Sequence, residues 1–156
     1  MAKDPRRFGT DLRLLQDLER QNDRDRGSDL AVIARPETNL NDLETLSGVD
    51  NLLQALLLRF LTPVGELALL GHPAYGSRLF ELIGELNNET NRNRAKLYVL
   101  QSLAAEPRVK EVRSVRVSQS RSRREQIDIA IELVAIDSDT PLNLVFPFSF
   151  EGVVTS

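Results

Sequence analysis

Val115-Arg116-Val117-Ser118, Ile127-Asp128-Ile129-Ala130-Ile131-Glu132-Leu133 and Leu142-Asn143-Leu144-Val145-Phe146-Pro147-Phe148-Ser149-Phe150 carry large apolar residues at every second position. Successive side chains of a strand point to opposite faces, so a period of two lays each apolar set on one side. Gln119 to Gln126 and Asp137 to Pro141 are short polar connectors, as an antiparallel meander needs. Pro147 cannot donate a ladder hydrogen bond, which predicts that its strand lies at an edge or carries a bulge.

Upstream the period becomes helical. Leu52, Leu53, Leu56, Leu57, Phe60 and Leu61 make a broad apolar stripe, with Ser47 and Asp50 as a capping pair at its start and Thr62-Pro63-Val64-Gly65 at its end. Glu66 to Leu70 is short enough for a strand before the Gly71-His72-Pro73 turn. Ser77 can cap a second, short helix in which Leu79, Phe80, Leu82 and Ile83 pack inward until Gly84 stops it. A third helix opens at Thr90 or Asn91 and carries Ala95, Val99 and Leu103, with Leu100 and Ala104 beside them. It ends at Ala105, because Pro107 forces Glu106 away from helical backbone. The expected fold class is α+β: three helices packed on one face of a C-terminal antiparallel sheet of three or more strands. Further upstream, Leu30 to Arg35 alternates loosely and ends at Pro36, as a short edge strand would.

Residues 1–29 hold as many basic as acidic residues and little to bury. Phe8, Leu12, Leu15 and Leu18 recur at helical spacing, and the segment reads as a polar N-terminal arm on a single domain of residues 30–156. The whole chain, 156 residues at 41% hydrophobic and 28% charged, suits one core. No apolar run approaches the ~20 residues that span a bilayer, so no membrane insertion is expected. The basic N-terminus is not followed by an apolar signal segment, which predicts a cytoplasmic protein.

Cysteine is absent and His72 is the sole histidine, which excludes disulfides, thiolate nucleophiles, zinc–cysteine sites and any site needing two imidazoles. His72 has no recognisable nucleophile or second titrating group beside it. Gly76-Ser77-Arg78 reads as a turn and helix cap, not a phosphate loop. No catalytic residue, cofactor or metal is expected.

Charge is unevenly placed. Seven basic residues (Arg108, Lys110, Arg113, Arg116, Arg121, Arg123 and Arg124) stand against Glu111 alone, and the chain beyond Arg124 has acidic residues but no basic one. Cross-strand pairs of opposite charge account for part of this, at roughly 0.2–1 kcal/mol each. They leave Arg121, Arg123 and Arg124 as a candidate partner contact. Nucleic acid is not expected there, given the net charge of -3 and the lack of aromatic residues in that loop.

Three motifs carry a resemblance: Asn51-Leu52-Leu53-Gln54-Ala55; the run from Leu61-Thr62-Pro63-Val64-Gly65-Glu66-Leu67 to His72-Pro73-Ala74-Tyr75-Gly76-Ser77-Arg78-Leu79; and Glu106-Pro107-Arg108-Val109. Their order and spacing, over about Leu40 to Phe150, resemble the small inner-wedge baseplate proteins of contractile phage tails, type VI secretion and extracellular contractile injection particles, a family some of whose members are labelled lysozyme-like.

The resemblance implies a structural, non-enzymatic baseplate subunit, present in sixfold copies, that joins wedge proteins and initiates sheath assembly. Its implied partners are the wedge and sheath proteins, with tube or hub proteins as further contacts. Glu106, Pro107 and Arg108 match the family's docking turn, and the chain would reside in the cytoplasm during assembly and then in the particle. The long mixed-charge arm departs from the family pattern. The alternative is a peptidoglycan-cleaving lysozyme-like hydrolase, which needs two carboxyl groups roughly 5–9.5 Å apart, one with a raised pKa. Glu66, Glu81, Glu85 and Glu106 are its candidates.

Overall fold

The computed structural model describes residues 10–12, 32–35, 40–43, 45–136 and 138–151, with backbone alone before residue 48. The chain forms two compact units, Met1–Ala55 and Leu56–Ser156. In the first, β1 (Thr10–Leu12) pairs antiparallel with β4 (Thr45–Ser47), and β2 (Val32–Arg35) with β3 (Leu40–Leu43). The strand expected before Pro36 is thus β2. Leu12, placed on a helical face by its spacing, is in a strand; Phe8, Leu15, Leu18 and most of the polar arm lie outside the described residues. Ser47 closes β4, and α1 (Gly48–Leu61) follows directly and runs from the first unit into the second.

The second unit is α+β. A helix α2 (Glu89–Ala104) leads into the antiparallel meander β5 (Val109–Gln119), β6 (Gln126–Ala135) and β7 (Pro141–Ser149), in spatial order β5-β6-β7. The period-two reading holds in detail: Ile127, Ile129, Ile131 and Leu133 are buried, as are Leu144, Phe146, Phe148 and Phe150, while Asn143 and Val145 face out. On that inner face Phe60 of α1 meets Phe146 at 5.5 Å between ring centroids, and Phe148 meets Phe150 edge-on at 5.5 Å.

Among the described residues there are two α-helices where three were expected, with two 3-10 turns, Ala68–Leu70 and Leu79–Leu82. The expected strand over Glu66 to Leu70 is instead a series of turns. Its backbone closes on itself: Glu66 N–H donates to Pro63 O at 3.1 Å, Ala68 N–H to Gly65 O at 3.1 Å and Leu70 N–H to Leu67 O at 3.0 Å, between Gly65 and Gly71 with left-handed φ of 91° and 87°. The expected second helix is a single 3-10 turn. Ser77 Oγ accepts from the Leu79 N–H at 3.1 Å, but the N-cap position is Arg78, whose side chain makes no cap, and Ile83 is already extended. One turn has one inner face, so Leu79 and Leu82 are buried while Phe80 and Ile83 are exposed. In α2 the cap is Asn88, whose Oδ1 accepts from the Asn91 N–H at 2.8 Å, so the helix opens earlier than Thr90. Its buried face is Asn91, Ala95, Tyr98, Val99, Ser102 and Leu103, whereas Leu100 and Ala104 are exposed.

Gly76 closes the long connection between α1 and the 3-10 turn at Leu79–Leu82. Its φ is 116°, and a Cβ there would fall 2.5 Å from the Thr62 carbonyl oxygen. That approach lets Ser77 N–H donate to Thr62 O at 2.8 Å and Val64 N–H to Ser77 O at 3.1 Å. Gly76→Ala is expected to cost more than ~1 kcal/mol, read as a lower urea midpoint at unchanged slope.

Candidate functional site

The helix-to-strand corner positions the first predicted group. α2 ends as Glu106 N–H donates to Leu103 O at 3.1 Å; Val109 N–H then donates to Glu106 O, and Ile136 N–H to Arg108 O at 2.9 Å, which starts the sheet. Pro107, exposed, stiffens the bend between them. Glu106 turns its carboxylate inward, where it is only 4% exposed, and Arg108 at 24% exposure lies over it. Arg108 donates from its backbone N–H (3.2 Å) and Nε (2.7 Å) to Oε1, and from Nη2 to Oε2 (3.2 Å). The charged residues of the turn therefore pair with each other.

Sequence reasoning missed two further members. Arg59, from the last turn of α1, donates from Nη2 to Glu106 Oε2 at 3.4 Å, and its guanidinium stacks on the Tyr75 ring at 4.5 Å. Arg59 stands inside an apolar stripe, next to Phe60, and its one sequence signal was that interruption. Burial pushes the Glu106 pKa up, but the Arg108 hydrogen bonds and the charges of Arg108 and Arg59 outweigh it and hold the pKa below the usual glutamate value. Burial raises the Tyr75 pKa, against the opposing pull of Arg59. The result is a charged, preorganised corner drawn from α1, the 62–78 connection and the start of β5.

The second predicted group, Arg121, Arg123 and Arg124, occupies the β5–β6 hairpin at the other end of β5, about 30 Å away at strand rise. The structure does not bring the two groups together. All three arginines are exposed. Nor does β5 pair its charges as expected: Arg116 lies opposite Ala130, with Asp128 and Glu132 only diagonal to it. The ion pair Lys110–Asp139 spans 3.9 Å between exposed groups and is worth little.

The outer edges of the sheet differ. Phe150 N–H donates to Glu125 O at 2.9 Å, and hydrogen-bonded pairs alternate along an antiparallel ladder. Thus Leu142, Leu144, Phe146 and Phe148 bond to β6, while Pro141, Asn143, Val145, Pro147 and Ser149 turn their backbone groups outward. The β7 edge accordingly lacks donors at Pro141 and Pro147, as its proline predicted. On β5, Ser120 N–H donates to Gln126 O at 2.9 Å, so Val115, Val117 and Gln119 turn outward with every donor present. The first half of β5 is interrupted by register shifts that leave Lys110 and Arg113 unpaired, which confines its regular edge to Ser114–Gln119.

The carboxylates considered for glycoside cleavage have different surroundings. Glu81 accepts both Arg78 Nε (2.9 Å) and Nη2 (3.0 Å), and the Tyr98 hydroxyl at 3.1 Å, which lowers its pKa. Glu66 and Glu85 are exposed. Among the described residues no group of three or more His, Asp or Glu could hold a metal ion, and no helix is long and apolar enough to cross a membrane.

No family model matches the chain, and no curated protein matches it. Among solved structures it is similar to one from Geobacter sulfurreducens described as a "putative tail lysozyme", at 26% identity and a TM-score of 0.54, covering 62% of this chain and 85% of that one. The likeness is to a tail-associated protein, and it extends over most of that protein's length.

Since the Glu106 pKa is lowered on folding, its contribution to stability is complete above the unfolded value of about 4.3 and is lost as pH falls through the folded value. Glu106→Gln is expected to flatten this acid limb of the stability–pH curve. Glu106→Ala, which strands Arg59 beside the core, is expected to cost about 3–5 kcal/mol at pH 7 by urea unfolding.

Proposed function

We propose that this protein is a structural baseplate subunit of a contractile injection machine, joining wedge proteins at the Glu106-Pro107-Arg108 corner and initiating the sheath at its sheet. The observation that carries the reading is the structural likeness to a protein described as a tail lysozyme, which covers 62% of this chain; the three motifs of the resemblance point the same way. The corner supports it physically. A guanidinium already braced against Glu106 has little freedom left to lose when a partner's carboxylate or carbonyl approaches its exposed side. In this reading the subunits stand in sixfold copies, assembled in the cytoplasm and retained in the particle, with wedge and sheath proteins as partners and tube or hub proteins beyond them.

Sheath initiation would use strand addition, and the edge chemistry favours β5. An incoming strand finds donors and acceptors at Val115, Val117 and Gln119 without a proline, with the hairpin arginines at the end to attract an acidic segment. Val117→Pro deletes one outward donor and touches no β5–β6 hydrogen bond. It is expected to stop sheath initiation, scored by electron microscopy of assembled particles, while Val145→Pro on β7 leaves it intact. The reverse result would move the template to β7.

The name of the similar structure favours a second reading, a peptidoglycan hydrolase. Its chemistry is poorly furnished, since a general acid needs a raised pKa and both Glu81 and Glu106 are lowered by arginine. The direct test is sedimentation from the native source: co-migration with a large particle is expected, and a free small species with hydrolytic activity would overturn the assignment. Glu66→Gln, Glu81→Gln, Glu85→Gln and Glu106→Gln should each leave peptidoglycan turnover at the buffer level of the wild type. Cleavage lost in one of them would establish an enzyme.

A further inference from the structure

Ile83 and Leu86 are 50% and 77% exposed, although the segment that carries them is held in place. Gly84 N–H donates to Phe150 O at 2.6 Å, Phe150 N–H donates to Glu125 O, and the Asn87 side-chain amide donates to Arg124 O. The same segment thus lies along the β5–β6 hairpin. The hairpin is closed in its turn by Ser120 N–H on Gln126 O, Gln126 N–H on Arg123 O, and a hydroxyl contact of 3.1 Å between Ser120 and Ser122. The segment that carries the two exposed apolar side chains is thus hydrogen-bonded, at Asn87, to the hairpin that carries three exposed arginines. Among the described residues, none of Arg121, Arg123 and Arg124 forms an ion pair.

We infer that this surface docks an acidic, amphipathic segment of a partner protein, whose apolar side chains cover Ile83 and Leu86 while its carboxylates pair with Arg121, Arg123 and Arg124. The inference rests on reading the hairpin arginines as a partner contact and adds the apolar half of that contact. Charge complementarity calls for an anion, and the arginine forks suit carboxylates. The apolar half selects protein over nucleic acid. A phosphate backbone has nothing to lay on leucine, single strands bind through aromatic platforms, and residues 83–87 and 121–124 contain no aromatic. Exposed Glu125, next to Arg124 in the chain, would repel a polyphosphate further. Desolvating Leu86 beside the guanidinium groups also strengthens each ion pair by lowering the local dielectric.

The test is fluorescence anisotropy of the full chain with three labelled probes of equal length: a peptide interspersing Asp with Leu, polyglutamate, and oligothymidylate. The Asp/Leu peptide is expected to bind at least about tenfold more tightly than either other probe. Ile83→Ser with Leu86→Ser should reduce its affinity to that of polyglutamate. Replacing Arg121, Arg123 and Arg124 by Ser should abolish the salt dependence of binding. These side chains are exposed, and circular dichroism is expected to be unchanged. Equal affinity for polyglutamate, preference for oligothymidylate, indifference to the Ile83 and Leu86 changes, or no binding of any probe would each overturn the inference. Neither result bears on whether the protein sediments with a particle, so the two readings fail independently.

Discussion

A carboxylate almost wholly removed from water stays ionised only when cations and donors replace the solvent it has lost, and Glu106 is in that position. Arg108 supplies three hydrogen bonds from two residues away, and Arg59 supplies another contact from α1. The bonds are local on one side and span 47 residues of sequence on the other. Hence the ion cluster sets the direction in which β5 leaves α2 and ties that corner to the last turn of α1. Tyr75, stacked on Arg59, brings the 62–78 connection to the same place, where Gly76 permits the close approach of Thr62 and Pro63. An isolated buried ion would be expelled or neutralised; three charged groups sharing one small volume define a single geometry.

From that corner the sheet follows. β5 begins with two irregularities, and only past Arg113 does it run in register with β6. Hydrogen-bond alternation then decides which backbone groups remain for another chain. Proline is tolerated at 141 and 147 because the N–H groups at these positions would face outward, and the same fact impoverishes that edge. The β5 edge keeps its donors, and its lysine and arginine residues blunt it against unselective pairing.

The two charged groups of the second unit do different physical work. At the corner, arginine is half-buried and serves the fold while keeping part of its surface accessible. At the hairpin, arginine is exposed and contributes nothing to the core. The two groups stand at opposite ends of β5.

The period-two stretches from Val115 to Phe150 determined the meander, its buried face and the edge position of the proline-bearing strand, because alternation is a local consequence of strand geometry and one face must be buried. The apolar stripe from Leu52 to Leu61 determined α1 for the same reason at the helical period. Chain punctuation was less decisive. Ser77 and Gly84 bracket a turn that only packing could limit to one 3-10 turn, and the run from Leu67 to Leu70 closes into turns through hydrogen bonds three residues apart. Glu106 and Arg108 were legible as a charged corner. That Glu106 turns inward, that Arg59 and Tyr75 complete its surroundings, and that Asn87 bonds to the hairpin at Arg124 were decided by tertiary structure alone. Those contacts join residues far apart in sequence, and nothing in the local pattern of either partner encodes the other.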